Sequence, residues 1–227
     1  MGFFMRYSSI TQKITMSVAG IILMAFLLVH LGINLFILPL SENHKEVFRE
    51  AVHFMTVNPL VKIMEIVLIA CFLIHIIWGV VIQIQNWVAR GTHRYKVTNW
   101  SQTSFFSKFM IYTGIIVLIF LGIHFMNFYF VKLGWISPPE GMMPVADKHD
   151  FYSMAVNLFN NDVYSVIYII LMVFLGFHLN HSFQSAFQTL GLNHPVYTPV
   201  IKAFGDIYSI VVPLGFAIIP LYFIIYF

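Results

Sequence analysis

Charge is what this chain has least of. Only 9% of its 227 residues are Asp, Glu, Lys or Arg, while 59% are hydrophobic and 17% aromatic; soluble domains carry roughly 25% charged residues. With a mean hydropathy of +0.84, a soluble globular domain is excluded. Disorder is excluded too, because it requires few aromatics and a high net charge, and 12 basic against 9 acidic residues leave only +3. Cysteine is nearly absent. Cys71 alone permits no internal disulfide, no four-thiolate iron-sulfur cluster, no CxxC redox pair and no CxxCH haem-attachment site. No GxGxxG turn occurs, so a flavin or nicotinamide site built on that turn is excluded as well. There is no internal repeat and no low-complexity tract.

What the chain does have is long uncharged runs. A helix needs about 20 apolar residues to cross the roughly 30 Å hydrocarbon layer. Ile14 to Leu40, Ile66 to Ala89, Phe109 to Val131 and Ile207 to Phe227 contain no charge, and neither does Val163 to Leu190, where Gly191 and Pro195 then end the helix. We therefore expect an all-α membrane protein, a single integral membrane domain over residues 1–227, with helices at about 14–40, 62–89, 106–132, 162–190 and 203–227. The N-terminal stretch reads as a retained anchor rather than a cleaved signal peptide, and Arg6 spoils the myristoylation pattern suggested by Gly2.

Lys and Arg favour the cytoplasmic side. An inward N-terminus places seven basic residues inside (Arg6, Lys13, Arg90, Arg94, Lys96, Lys108, Lys202) and five outside (Lys45, Arg49, Lys62, Lys132, Lys148). The N-terminus is accordingly expected in the cytoplasm. Two outer stretches are amphipathic. One has Val47, Phe48, Ala51, Val52 and Phe54 opposite Glu46, Arg49, Glu50 and His53; the other carries Phe151, Met154, Ala155 and Leu158. Either a cover over the bundle mouth or a lid for quinone or lipid entry would use them.

Histidine carries the functional signal. An ionisable side chain in the apolar layer is costly and marks function by default, and four of the five runs hold one: His30, His75, His124, and His178 with His181. If each of four helices turns one imidazole inward, the bundle core holds two ring systems, each between two histidines. Gly79, Gly122 and Gly176 lie near three of these positions and would leave room for a porphyrin edge, or would simply pack helices. A transporter would add intramembrane carboxylates, and only Glu65 comes near an apolar run. A second haem arrangement, with both haems between the same two helices as in cytochromes of the bc complex, would use His30 with His44, fourteen apart, and His181 with His194, thirteen apart. Pro39 and Gly191 argue against it by ending those helices first.

The segments HLGIN at His30, HIIWG at His75, YTGIIVLIFLGIH ending at His124 and HLNHSFQSAFQTLG from His178 resemble the single-chain, five-helix, two-haem cytochrome b subunit of succinate dehydrogenases and fumarate reductases. The likeness covers nearly the whole chain. It implies that His30, His75, His124 and His178 are the axial ligands of two haem b groups, with the first four helices bundled around them. His178 stands thirteen residues before Gly191, as the family's ligand does, although Ser182 replaces the glycine often found four residues on; His181 remains its rival. The resemblance pairs His75 with His178 on the cytoplasmic side and His30 with His124 on the outer side. Distances to flanking charges put His30 and His124 in the outer half and His178 in the inner half, and are silent for His75.

The partners so implied are an FAD-containing flavoprotein and an iron-sulfur subunit on the cytoplasmic face of a bacterial inner membrane, with a quinone, menaquinone by family habit, as substrate. Dicarboxylate chemistry would reside on the flavoprotein. Glu50 and His53 are the outer-side candidates for the quinone, and Lys13, Arg6, Lys108 and Trp87 for haem propionates on the inner side. The alternatives are the two-haem cytochrome of a hydrogenase or formate dehydrogenase, and a haem-free membrane transporter.

Overall fold

A computed structural model describes residues 9–90, 105–137 and 149–227. The described residues are helical with short connections. In chain order they form α1 (Ser9–Asn34), a 3-10 turn (Leu35–Ile37), α2 (His44–Val57), α3 (Pro59–Arg90), α4 (Phe105–His124), a π-helical segment (Phe125–Tyr129), α5 (Phe130–Lys132), α6 (Phe151–Phe159), α7 (Asp162–Thr189) and α8 (Thr198–Tyr226). Five helices are long and apolar enough to cross a membrane: α1 with its 3-10 turn, α3, the α4–α5 unit, α7 and α8. Helices suit such a medium because each backbone N–H finds its acceptor within the same segment.

The ends follow local chemistry. The first helix begins at Ser9 and stops short of Leu40, because a residue preceding proline avoids the helical region; Leu38, before Pro39, is extended at φ −75° and ψ 148°. Asn58 caps α3, its Oδ1 accepting from Leu60 N at 2.9 Å, and Pro59 takes the first helical position. Asn161 caps α7 in the same way, accepting from Val163 N at 3.0 Å. That helix ends at Gly191, whose φ of +82° is left-handed, with Leu192 N donating to Phe187 O. α8 begins at Thr198, earlier than the 203 expected from its charges.

Helix α7 is the hub, packed by α8, α4 and α1, while α3 packs closely on α1. The core between α7, α8 and α1 holds Met24, Leu31, Leu175, Leu179, Phe183 and Val212. Tyr208 ties α8 to α1 by donating to Met24 O at 2.7 Å. Gly205 lets α8 meet Phe183, and Gly176 lets α7 lie against Ser209 O. The fifth long helix therefore flanks the other four.

At one end, α2 and α6 cover the bundle. Phe48, Ala155, Leu158 and Phe159 are buried against Ile37, Leu38 and Phe223. Arg49 donates to Asp150 Oδ2 at 3.0 Å across the two helices, and Tyr152 lies beneath the cations of both Lys45 and Arg49. Of the expected apolar face of α2, Phe54 departs: it is exposed, and His44 is buried in its stead. Phe54 lies six positions beyond the buried Phe48 and so about 120° round the helix from it at 100° per residue.

Candidate site at two histidine pairs

Helices α1 and α4 stand across the bundle from each other, as do α3 and α7, and neither couple is closely packed backbone to backbone. Histidines bridge both diagonals. The rings of His30 and His124 have centroids 5.8 Å apart at 86°. Those of His75 and His178 are 6.2 Å apart at 79°.

The pairs lie at two levels. His75 Nδ1 is 3.5 Å from Met16 O, and a Cβ on Gly20 would be 3.4 Å from the same nitrogen. On the opposite side a Cβ on Gly114 would be 3.6 Å from His178 Cε1. His30 follows Gly20 by ten residues and His124 follows Gly114 by ten, so each helix separates the levels by about 15 Å at 1.5 Å per residue. Both glycines lie beside the rings of the His75–His178 level, where a Cβ would just make contact and a larger side chain would press on them.

Hydrogen bonds orient the rings differently at each level. Met16 O can only accept, so His75 holds its proton on Nδ1. Thr113 Oγ1 donates to Met110 O at 2.9 Å and lies 3.5 Å from His178 Nδ1. Its hydroxyl proton being spent, it too accepts there. Both imidazoles of this level thus keep the Nε2 lone pair, the form that binds a metal. At the other level Asn34 Nδ2 donates to His30 O at 2.7 Å and sits 3.3 Å from His30 Nδ1, a donor where the ligand form wants an acceptor. His124 Nδ1 is buried with no partner. Aromatic rings enclose this level: Phe26 stacks on His30, Phe216 tilts against it, and Phe120, Phe128 and Tyr168 surround His124.

Among the described residues no group of three or more His, Cys, Asp or Glu gathers to hold a metal ion. Two imidazoles leave a protein-only site short of the ligands that zinc, for example, takes. A bis-imidazole pair fits a metal whose other ligands come from a macrocycle. Gly79 and Gly122 face open space, with nothing within 4 Å of a Cβ placed there. Gly176 serves instead to pack α7 on α8, with Ser209 O at 3.0 Å from its Cβ position. The His75–His178 pair therefore fits a haem as it stands; at the other level the two rings face each other, but His30 Nδ1 meets the Asn34 donor.

Other expected positions fall apart from these pairs. His181 makes no ring contact with His75 among the described residues. His44 starts α2 and bonds Ser41 O at 2.8 Å, and His194 stacks on Tyr197 in the α7–α8 connection, so neither extends a histidine-bearing helix. Glu50 and His53 are exposed on α2, and Trp87 is exposed near the end of α3. Glu65 accepts from Lys132 at 3.3 Å, bridging α3 and α5. Lys13 lines an open cleft of about 330 Å³ with Ile10, Ile14, Ser185, Gln188 and Thr189, seven residues before Gly20 and so beyond the His75 level. Arg6, Arg94, Lys96, Lys148 and the side chains of Arg90 and Lys108 lie outside the described residues.

Sequence reasoning did not single out Gly20, Gly114, Thr113, Asn127 or Tyr168. The matching ten-residue interval from glycine to histidine on two helices was the available signal. No family model, curated protein or solved structure matches this chain.

Proposed function

We propose that the chain is the two-haem cytochrome b membrane subunit of a succinate:quinone oxidoreductase, a succinate dehydrogenase or fumarate reductase, passing electrons between a cytoplasmic iron-sulfur subunit and quinone in a bacterial inner membrane. One observation carries this reading: four imidazoles from four helices meet as two pairs, across both diagonals of one bundle and about 15 Å apart in level.

When bound, each haem b supplies a one-electron carrier inside the apolar layer. His75 and His178 would hold one and His30 and His124 the other. The chain's own work is to hold and insulate. Gly20 and Gly114 keep the space beside the inner rings clear, Met16 O and Thr113 keep the proton on Nδ1 of those rings, and phenylalanines exclude water from the outer pair. Lys13, at the cleft beyond the inner level, offers a cation to a propionate. Glu50 and His53, exposed on the outer cover, are the groups this reading offers to a quinone headgroup. Dicarboxylate chemistry belongs to the flavoprotein partner.

The test is an absorption spectrum and haem count on the chain purified from its membrane. Two haem b per chain, with a reduced b-type band, is the expected result; a colourless chain leaves only a five-span membrane protein. Co-purification with a flavoprotein that reduces quinone on addition of succinate then separates this reading from a hydrogenase or formate dehydrogenase cytochrome.

A further inference from the structure

Three of the four paired imidazoles have a polar neighbour at Nδ1, and His124 has none. It is also deep in the chain, on the last residue of α4 before the backbone widens into the π-helical segment Phe125–Tyr129. π-helical turns inside helices recur at functional sites because they redirect the side chains they carry. Here the turn carries Asn127, which is buried and donates from Nδ2 to the hydroxyl of Tyr168 at 3.0 Å. Tyr168 is 5% exposed, and its ring stands 6.4 Å from that of His124. Of the rings around His124, those of Phe120 and Phe128 are wholly apolar and His30 is its opposite number. Tyr168 is the remaining neighbour and bears a polar atom.

A buried phenol that accepts one hydrogen bond still has a proton to donate and a second lone pair. Among the described residues no acceptor takes the Tyr168 proton. A buried imidazole nitrogen without a partner and a buried hydroxyl with unused capacity therefore belong to rings whose centroids are 6.4 Å apart, and leaving either group unpaired in an apolar surrounding is costly. A metal-ligating histidine ordinarily directs its second nitrogen to a carbonyl, carboxylate or water, which fixes its orientation and raises its basicity.

We infer that Tyr168, held in place by Asn127, is a positioning residue for His124. Its hydroxyl, directly or through one water, takes the hydrogen bond from His124 Nδ1 and so tunes the outer haem separately from the inner one. This rests on the two-haem reading above. Thr113 has the corresponding part at the inner pair, through His178.

Tyr168→Phe keeps the ring and deletes the hydroxyl. Redox titration of the purified wild-type and variant subunit, followed by the b-type absorption bands, is the test. Loss of an acceptor from the ligand's N–H makes the imidazole a weaker donor to ferric iron. The midpoint potential of one haem is expected to rise in Tyr168→Phe and that of the other to stay. Asn127→Leu is expected to move the same haem, and Thr113→Val to move the other. Two bound haems with unchanged potentials in Tyr168→Phe, or both potentials shifted alike, would overturn the assignment while leaving the cytochrome reading intact. A wild-type chain without haem would overturn both. Loss of the outer haem in Tyr168→Phe with the inner one retained supports the assignment, provided Phe216→Leu, which alters packing around His30 but no hydrogen bond, leaves both potentials in place.

Discussion

The His75 ring approaches that of His178 to 6.2 Å although α3 and α7 are not packed backbone to backbone. Two polar rings span an interhelical space that apolar side chains would ordinarily fill. An imidazole in an apolar layer is retained only where something compensates its burial, and on the proposed reading a haem iron held by both rings would do so.

Removing one member of a pair should therefore empty one centre only. His75→Ala or His178→Ala is expected to halve the haem content, and so is His30→Ala or His124→Ala, with the two groups of variants losing spectroscopically different haems. Loss of both haems, or of neither, from a single substitution contradicts the pairing.

His181 is the internal control. Three residues from His178 on the same helix, it has no ring contact among the described residues, so His181→Ala should retain both haems and their spectrum. A lost haem in this variant would transfer the ligand role from His178.

Glycine lines the His75–His178 level. A branched side chain at Gly20 or Gly114 would press on His75 or His178, whose atoms already lie 3.4 and 3.6 Å from the Cβ positions. Gly20→Val and Gly114→Val are expected to reduce occupancy of the inner haem below one per chain, read from the amplitude of its band, with the outer haem unaffected.

Packing of α8 on α7 depends on Gly205. Its Cβ position is 2.8 Å from Phe183 Cδ1, and that ring is enclosed by Phe187, Phe204 and Tyr208. The ring cannot simply swing away. Gly205→Ala should cost about 1 to 3 kcal/mol, the range for an overpacked core, and appear as a lower apparent Tm in detergent. An unchanged Tm would mean that α8 shifts freely on α7.

The cover formed by α2 and α6 should be pH-sensitive through Asp150. Partial burial pushes this carboxyl up, but hydrogen bonds from Ser153 and Arg49 outweigh it and hold the group below its ordinary value. A lowered native pKa gives stability that is present above the unfolded value, near 3.9, and is lost as pH falls through the lowered one. Arg49 is half exposed and the pair lies at the surface, so its contribution is about 0.2 to 1 kcal/mol. Protection factors of amides in α2 and α6, taken relative to the intrinsic rate at each pH, should fall once pH drops below about 4, and Arg49→Ala should show that lower protection already at neutral pH.

The five runs were legible because a bilayer requires long stretches without charge, and composition alone reports them. Ends were less so. Counting charges started α8 at 203 and carried the first helix to Leu40, whereas proline geometry at Pro39 and a start at Thr198 depend on backbone conformation rather than polarity. Histidine stood out through its rarity in apolar runs. Glycine misled in part: Gly176 lies near His178 in sequence but faces Ser209, because two residues along a helix turn a side chain by about 200°.

By itself the sequence determined that the chain is helical, that five segments are long and apolar enough for a membrane, and that four of them carry histidine, since these are matters of composition and run length. Tertiary structure decided which imidazoles face each other, that two glycines ten residues upstream of histidines lie beside the rings, and that the Tyr168 ring neighbours that of His124. Those relations join residues tens of positions apart, and they depend on how each helix is rotated and which neighbour it packs against. Hydropathy, being the same whichever way an apolar helix turns, carries no record of either.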